Sequence, residues 1–167
     1  MLQYENFNDT EAMLIAIHLE EEGLEFYSTI AKNVKCDKVR ETFSQLASDE
    51  KEHLAQFQKV HLDLSPLANP VGDYEDCMVD LYLKYLVDTG VFTKKGEAKR
   101  LANEINTDTD ALKVGIQAEE AAIHYYCEAA KKTKHKKGKK VFKQLANEER
   151  RHLALLTKHL KESEKAV

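Results

Sequence analysis

The sequence predicts an all-α protein, a four-helix bundle of two pseudo-symmetric helical hairpins joined by a long, partly helical crossover. Three observations lead there. The 167 residues include only 6 Gly and 2 Pro, with abundant charge of both signs, which suits helices with solvated outer faces. A shift of 99 residues, which sets Asp9 on Asp108, aligns the two ends of the chain without a gap. Within each end, apolar residues recur at alternating steps of three and four, the period of a helix buried along one stripe.

The repeat is seen in specific residues. DTEAM at 9–13 meets DTDAL at 108–112, Glu20 meets Glu119, and Tyr27 meets Tyr126. Phe43, Leu46, Glu50 and His53 meet Phe142, Leu145, Glu149 and His152. Residues 9–59 and 108–158 read as two copies of one unit, too few for a solenoid. One domain over 1–167 follows, with hairpin one at about 8–63, a crossover at about 64–106 and hairpin two at about 107–163.

The first helix opens at Asn8-Asp9-Thr10-Glu11, where Asn8 is a suitable N-cap, and runs to about Asn33. The second starts near Asp37 and ends before LSPLANPVG, where Pro66, Pro70 and Gly72 enforce a loop. In the crossover, Tyr74, Cys77, Met78, Leu81, Tyr82, Tyr85 and Leu86 form an amphipathic stripe. Ala98, Leu101, Ala102 and Ile105 suggest a further short helix over 97–105. The second hairpin breaks near Thr107–Thr109 and near Lys134–Gly138.

Each bundle helix interrupts its apolar seam with a glutamate. The seams run Met13, Ile17, Glu20, Leu24, Tyr27, Ala31, Val34; then Val39, Phe43, Leu46, Glu50, His53, Phe57, Val60, Leu64; then Leu112, Ile116, Glu119, Ile123, Tyr126, Ala130; then Phe142, Leu145, Glu149, His152, Leu156. The midpoint of Glu20 and Glu50 is residue 35 and that of Glu119 and Glu149 is residue 134, both in hairpin turns. Residues equally far from a turn lie side by side, here about 22 Å from it at 1.5 Å per residue. All four glutamates therefore share one level of the bundle.

Four carboxylates converging in a core are strongly unfavourable without compensation. No Lys or Arg occupies a seam position, whereas two divalent cations would cancel the charge of four Glu and leave the histidines neutral. Glu and His suit iron, manganese or zinc. A single Glu-x-x-His arises readily by chance in a chain this rich in Glu. Two at the repeat offset, both in the seam and each matched by a seam Glu, carry the assignment of Glu20, Glu50, His53, Glu119, Glu149 and His152 as metal ligands.

Other polar residues have plainer readings. Glu21, Glu22, Glu120 and Glu148 lie off the seam, with solvent or the surroundings of the ligands as their expected places. His18, His61, His124, His135 and His159 have no matched partner in the repeat and are expected at the surface. Tyr27 and Tyr126 lie two turns after a seam Glu; packing alone accounts for them, or their hydroxyls bond ligand carboxylates.

Composition excludes several classes. The net charge of −4 gives no reason to expect nucleic acid, and KKTKHKKGKK at 131–140 reads as a solvated turn. Cys36, Cys77 and Cys127 form no CxxC pair, so no zinc ribbon or rubredoxin-type iron centre is encoded. The start lacks the pattern of a signal peptide and no stretch approaches a membrane span, so a cytoplasmic protein without membrane contact is expected.

Through AIHLEEEGLEFY at 16–27, DEKEH at 49–53, IQAEEAAIHYY at 116–126 and NEERRH at 147–152, the chain resembles rubrerythrin-like proteins of the ferritin-like di-iron superfamily. That superfamily takes a Glu from each of two helices and Glu-x-x-His from each of the others. The resemblance implies a ferritin-like bundle with two irons, Glu50 and Glu149 bridging, Glu20 and Glu119 terminal, and one histidine per iron. The chain departs from rubrerythrins proper at Ala122, where they carry a further Glu, and in lacking a rubredoxin domain; its six-residue set is nearer the bacterioferritin type.

Three functions follow. In the first, an oxidoreductase reduces peroxide or O₂ at the di-iron centre, with an external electron donor restoring the iron. In the second, Fe(II) is itself the substrate of a ferroxidase or iron-handling protein. In the third, the metal only neutralises buried carboxylates. A homodimer or small homo-oligomer is expected, because the long crossover disfavours a cage.

Overall fold

The computed structural model describes residues 9–65, 92 and 94–165. Five helices are present among them: α1 (Asp9–Asn33), α2 (Asp37–Leu64), α3 (Glu97–Glu104), α4 (Asp108–Lys132) and α5 (Lys136–Lys165). No described residue lies in a strand, and the architecture is an all-α ferritin-like bundle. The expected cap at Asn8 and the amphipathic stripe from Tyr74 to Leu86 lie outside the described residues. No described helix is long and apolar enough to cross a membrane.

α1 packs along α2 and α4 along α5; α2 then faces α5, and α1 faces α4. The repeat is exploited at the turns, where each hairpin is clasped by the first residue of the other. Asp108 accepts hydrogen bonds from the backbone N–H of Lys35 at 2.9 Å and Cys36 at 2.8 Å. Asp9 accepts from the Thr133 hydroxyl and from the Lys134 N–H. Both carboxylates thus sit just before a helix N-terminus, where unpaired N–H groups and the helix dipole favour an acid.

The apolar seams close into two clusters separated by the glutamate level. One joins Met13, Ile17, Phe57, Val60, Tyr126 and Phe142. The other joins Phe26, Tyr27, Val39, Phe43, Leu112 and Leu156. The seams of α2 and α5 are buried as expected, apart from the half-buried Leu64 at the end of α2. On α1 and α4 the expected Leu24, Ile116 and Ile123 are only half-buried. The core contact falls one residue earlier, at the buried Gly23 and Gly115. A Cβ at Gly115 would lie 3.1 Å from Leu156 Cδ1, so the helices approach through the missing side chain.

Several polar residues expected at the surface are inside. His18, His61 and His159 are buried; His159 Nε2 lies 2.9 Å from the Thr42 hydroxyl, and burial lowers the pKa of His61. Glu22 is also buried, bonded to neither solvent nor the central cluster. It accepts from the N–H of Gly96 at 2.7 Å and of Ala98 at 2.9 Å, capping α3 and pinning it to α1. Gly96 has φ of 81°, a left-handed conformation that suits glycine at this cap.

Candidate metal centre

The six residues singled out by the seam converge at one level, each held by a different turn of the four long helices. Glu20 comes from α1, Glu50 and His53 from α2, Glu119 from α4, and Glu149 and His152 from α5; all six are buried. They form two sets of four that share two members. Glu20, Glu50, His53 and Glu149 offer ligand atoms all within 4.8 Å of one another, and so do Glu50, Glu119, Glu149 and His152. Glu50 and Glu149 belong to both sets.

The histidines present Nδ1 to the cluster. His53 Nδ1 lies 3.0 Å from Glu50, 3.0 Å from Glu149 and 3.5 Å from Glu20. His152 Nδ1 lies 2.8 Å from Glu149, 3.6 Å from Glu119 and 3.8 Å from Glu50. Among the described residues these histidines are the only ion-pair partners of the four carboxylates. Although close, Glu149 and His152 Nδ1 are not aligned for hydrogen bonds. Both Glu149 oxygens and His152 Nδ1 are therefore buried without a hydrogen-bond partner among the described residues. Such groups are costly unless something binds them, and an oxygen–imidazole set fits a first-row divalent metal.

The electrostatics agree. Desolvation, then the charges of Glu149 and Glu20, push the Glu50 carboxyl well above its ordinary range. Desolvation and the Glu149 charge raise Glu119 to about 8 against the opposing pull of His152. Glu149 also feels desolvation, but His152 and His53 outweigh it and hold it at about 2. Burial works to lower both histidines. For His152, the adjacent Glu119 and Glu149 carboxylates prevail and raise it to about 10. Glu149, Glu20 and Glu50 raise His53 likewise. Without metal, protons take the place of cations here.

The tyrosines cross between hairpins. Tyr27 of α1 donates its hydroxyl to Glu119 of α4, and Tyr126 of α4 donates to Glu20 of α1. Burial raises both phenol pKa values well above 10, with Glu119 and Glu20 respectively as the next cause, so these hydroxyls stay protonated donors.

Around the histidines the structure shows partners that the seam could not reveal. His53 Nε2 lies 2.9 Å from Glu148 of α5, and His152 Nε2 lies 3.2 Å from Asp49 of α2. Gln144 donates to Glu148 at 3.0 Å and Gln45 to Asp49 at 2.8 Å, so the same chain of contacts occurs in both copies. Asp49 was not singled out from sequence; its signal was an acid immediately before the Glu of each Glu-x-x-His, Asp49 and Glu148, at the repeat offset. Engaging Nε2 turns Nδ1 inward and fixes the tautomer that a metal needs. Asp49→Ala or Glu148→Ala is expected to weaken metal binding roughly 10–100-fold with helix content unchanged. Competition with a coloured chelator measures it, and unchanged affinity would mean that packing alone orients the rings.

Fold and site together define a class: a ferritin-like bundle with a buried carboxylate–histidine cluster compatible with two iron ions. The sequence matches the family model for rubrerythrin over residues 11–89 and 110–167. The chain belongs to the rubrerythrin family. Among solved structures it is similar to a hypothetical protein from Pyrococcus furiosus, with a TM-score of 0.67 and 21% identity over 95% of this chain and 92% of that one. That likeness shows the fold alone. No curated protein matches the sequence significantly.

Proposed function

We propose that the chain is a di-iron carboxylate oxidoreductase that reduces peroxide or O₂. The observation that carries this reading is the pair of four-residue sets sharing Glu50 and Glu149, which is the layout two adjacent metals require. Glu50 and Glu149 would bridge, Glu20 and His53 would complete one site, and Glu119 and His152 the other. Iron held by these residues would supply the two electrons needed to reduce a peroxide to water, with an external donor restoring them.

The residues around the cluster have supporting tasks. Tyr27 and Tyr126 hold protons against Glu119 and Glu20 and fix those carboxylates in place. Asp49 and Glu148 fix the imidazoles. The apolar clusters above and below keep bulk water away, which strengthens every charge interaction at the site.

Anaerobic protein loaded with Fe(II) and mixed rapidly with peroxide tests the reading. The expected result is oxidation of both irons per peroxide consumed, with the iron retained through repeated reduction by an added donor. Ferrous iron indifferent to peroxide, but oxidised by O₂ and then released, would favour iron handling instead.

A further inference from the structure

The outer face of α5 carries a charge pattern that neither the fold nor the metal centre requires. Along its exposed side, steps of three and four meet Lys136, Lys140, Lys143, Arg150, Lys158, Lys161 and Lys165, with only Asn147 and Ala154 between them. No acid falls in this stripe, and none of its lysines is in an ion pair among the described residues.

The internal repeat supplies a control. At the eight matching exposed positions that fall within it, α2 carries Asp37, Glu41, Lys51 and Lys59, with Ser44, Ser48, Ala55 and Leu62 at the others. A bundle helix of this protein therefore folds with a mixed outer face. Like charges at helical spacing repel, and lysines in the first turn of α5, which has no acid, oppose the helix dipole. The basic stripe costs stability that α2 does not lose.

Its position suits an electron donor. Arg150 and Arg151 are chain neighbours of the buried Glu149 and His152, so the middle of the stripe lies at the level of the centre, one helix thickness (about 10 Å) away. On the flank of α5 that faces α2, Glu148 has a side chain 28% exposed and contacts His53 Nε2, joining that flank to the cluster. A groove of about 650 Å³ is lined by Arg150, Leu153, Lys158, Lys161 and Lys165, with one acid, Glu162, which is paired with Lys38 of α2.

We propose that this face of α5 docks an acidic electron-carrier protein, two of which in turn each pass one electron to the oxidised centre and restore two Fe(II). The inference rests on the oxidoreductase reading. A nucleic acid fits less well: the chain is net −4, and no aromatic residue is exposed among the described residues for bases to stack on. The only exposed large apolar residue among them, Leu62, is on α2 and offers no membrane anchor beside the stripe.

The test uses full-length, iron-loaded, oxidised protein and reduced flavodoxin as the acidic carrier, with neutral hydroquinone as a reductant indifferent to charge. Lys158→Glu/Lys161→Glu is compared with Lys51→Glu/Lys59→Glu, an equal change of net charge on α2. At low salt, the α5 variant should be reduced by flavodoxin roughly tenfold or more slowly than the wild type, and less dependently on salt. The α2 variant should resemble the wild type, and hydroquinone should reduce all three alike. Equal loss in both variants, or in neither, would overturn the proposal, as would a loss of DNA binding in the α5 variant with flavodoxin unaffected. Salt-sensitive flavodoxin binding measured by NMR, lost only in the α5 variant but with no reduction of the wild-type centre, would leave the docking face standing and overturn the redox reading.

Discussion

Metal-free protein is expected to lose stability steadily between pH 5 and 9, and two divalent ions to restore it with release of about four protons. The four are those on Glu50, Glu119, His53 and His152, whose pKa values are all raised in the fold. Glu119 moves from an ordinary 4.5 to about 8, so its contribution is complete below 4.5 and gone above about 8. His152 moves from 6.5 to about 10, so its contribution is lost across that higher window. Glu50 and His53 have the same sign. Glu149 has the opposite sign, but its contribution disappears only as pH falls below 4.5 towards about 2, outside the window.

The loss should be on the order of 3–5 kcal/mol, discounted because the groups interact. Bound metal should flatten the profile and raise the whole curve, since it binds only the folded chain and its ionised ligands. Thermal unfolding with and without metal, and calorimetry in buffers of different ionisation enthalpy, measure both quantities. Apo stability that climbs with pH, or metal uptake without proton release, would refute this account of the cluster. Glu119→Gln should remove its share of the slope.

The second large effect distinguishes the four glutamates. Glu50→Ala or Glu149→Ala should take bound iron from about two ions per chain towards none, because each belongs to both four-residue sets. Glu20→Ala or Glu119→Ala should leave about one, because each belongs to a single set. Elemental analysis of reconstituted variants makes the comparison, with far-UV circular dichroism to confirm folding. Equal losses at all four positions would contradict the shared role of Glu50 and Glu149.

Most of the site was legible in the sequence because a helical seam encodes burial directly. A glutamate where leucine is expected is conspicuous, and the repeat doubles the signal at Glu20 and Glu119, and again at Glu50 and Glu149. The symmetry about residues 35 and 134 then placed all four at one level without any tertiary information. The helix bounds followed from the same pattern and from the turn residues.

What the sequence hid lies off the seam. Asp49 and Glu148 reach histidines on the opposite hairpin, a contact set by how α2 faces α5 rather than by period within either helix. Glu22 is buried by α3, a neighbour far along the chain, which seam analysis of α1 alone does not include. His18, His61 and His159 were misplaced because absence from the repeat says nothing about burial, and an imidazole packs inside readily when its nitrogens are shielded or bonded. The contact at Gly23 and Gly115 arises because, without side chains there, Glu50 and Leu156 of the paired helices pack against the backbone, a close approach that the seam of apolar residues does not register.

The most direct test of the central claim is anomalous diffraction at the iron edge from crystals of iron-loaded protein. The account predicts two peaks about 3.5–4 Å apart, both touching Glu50 and Glu149, with His53 Nδ1 on one and His152 Nδ1 on the other. A single peak, or iron held outside these six residues, would contradict it.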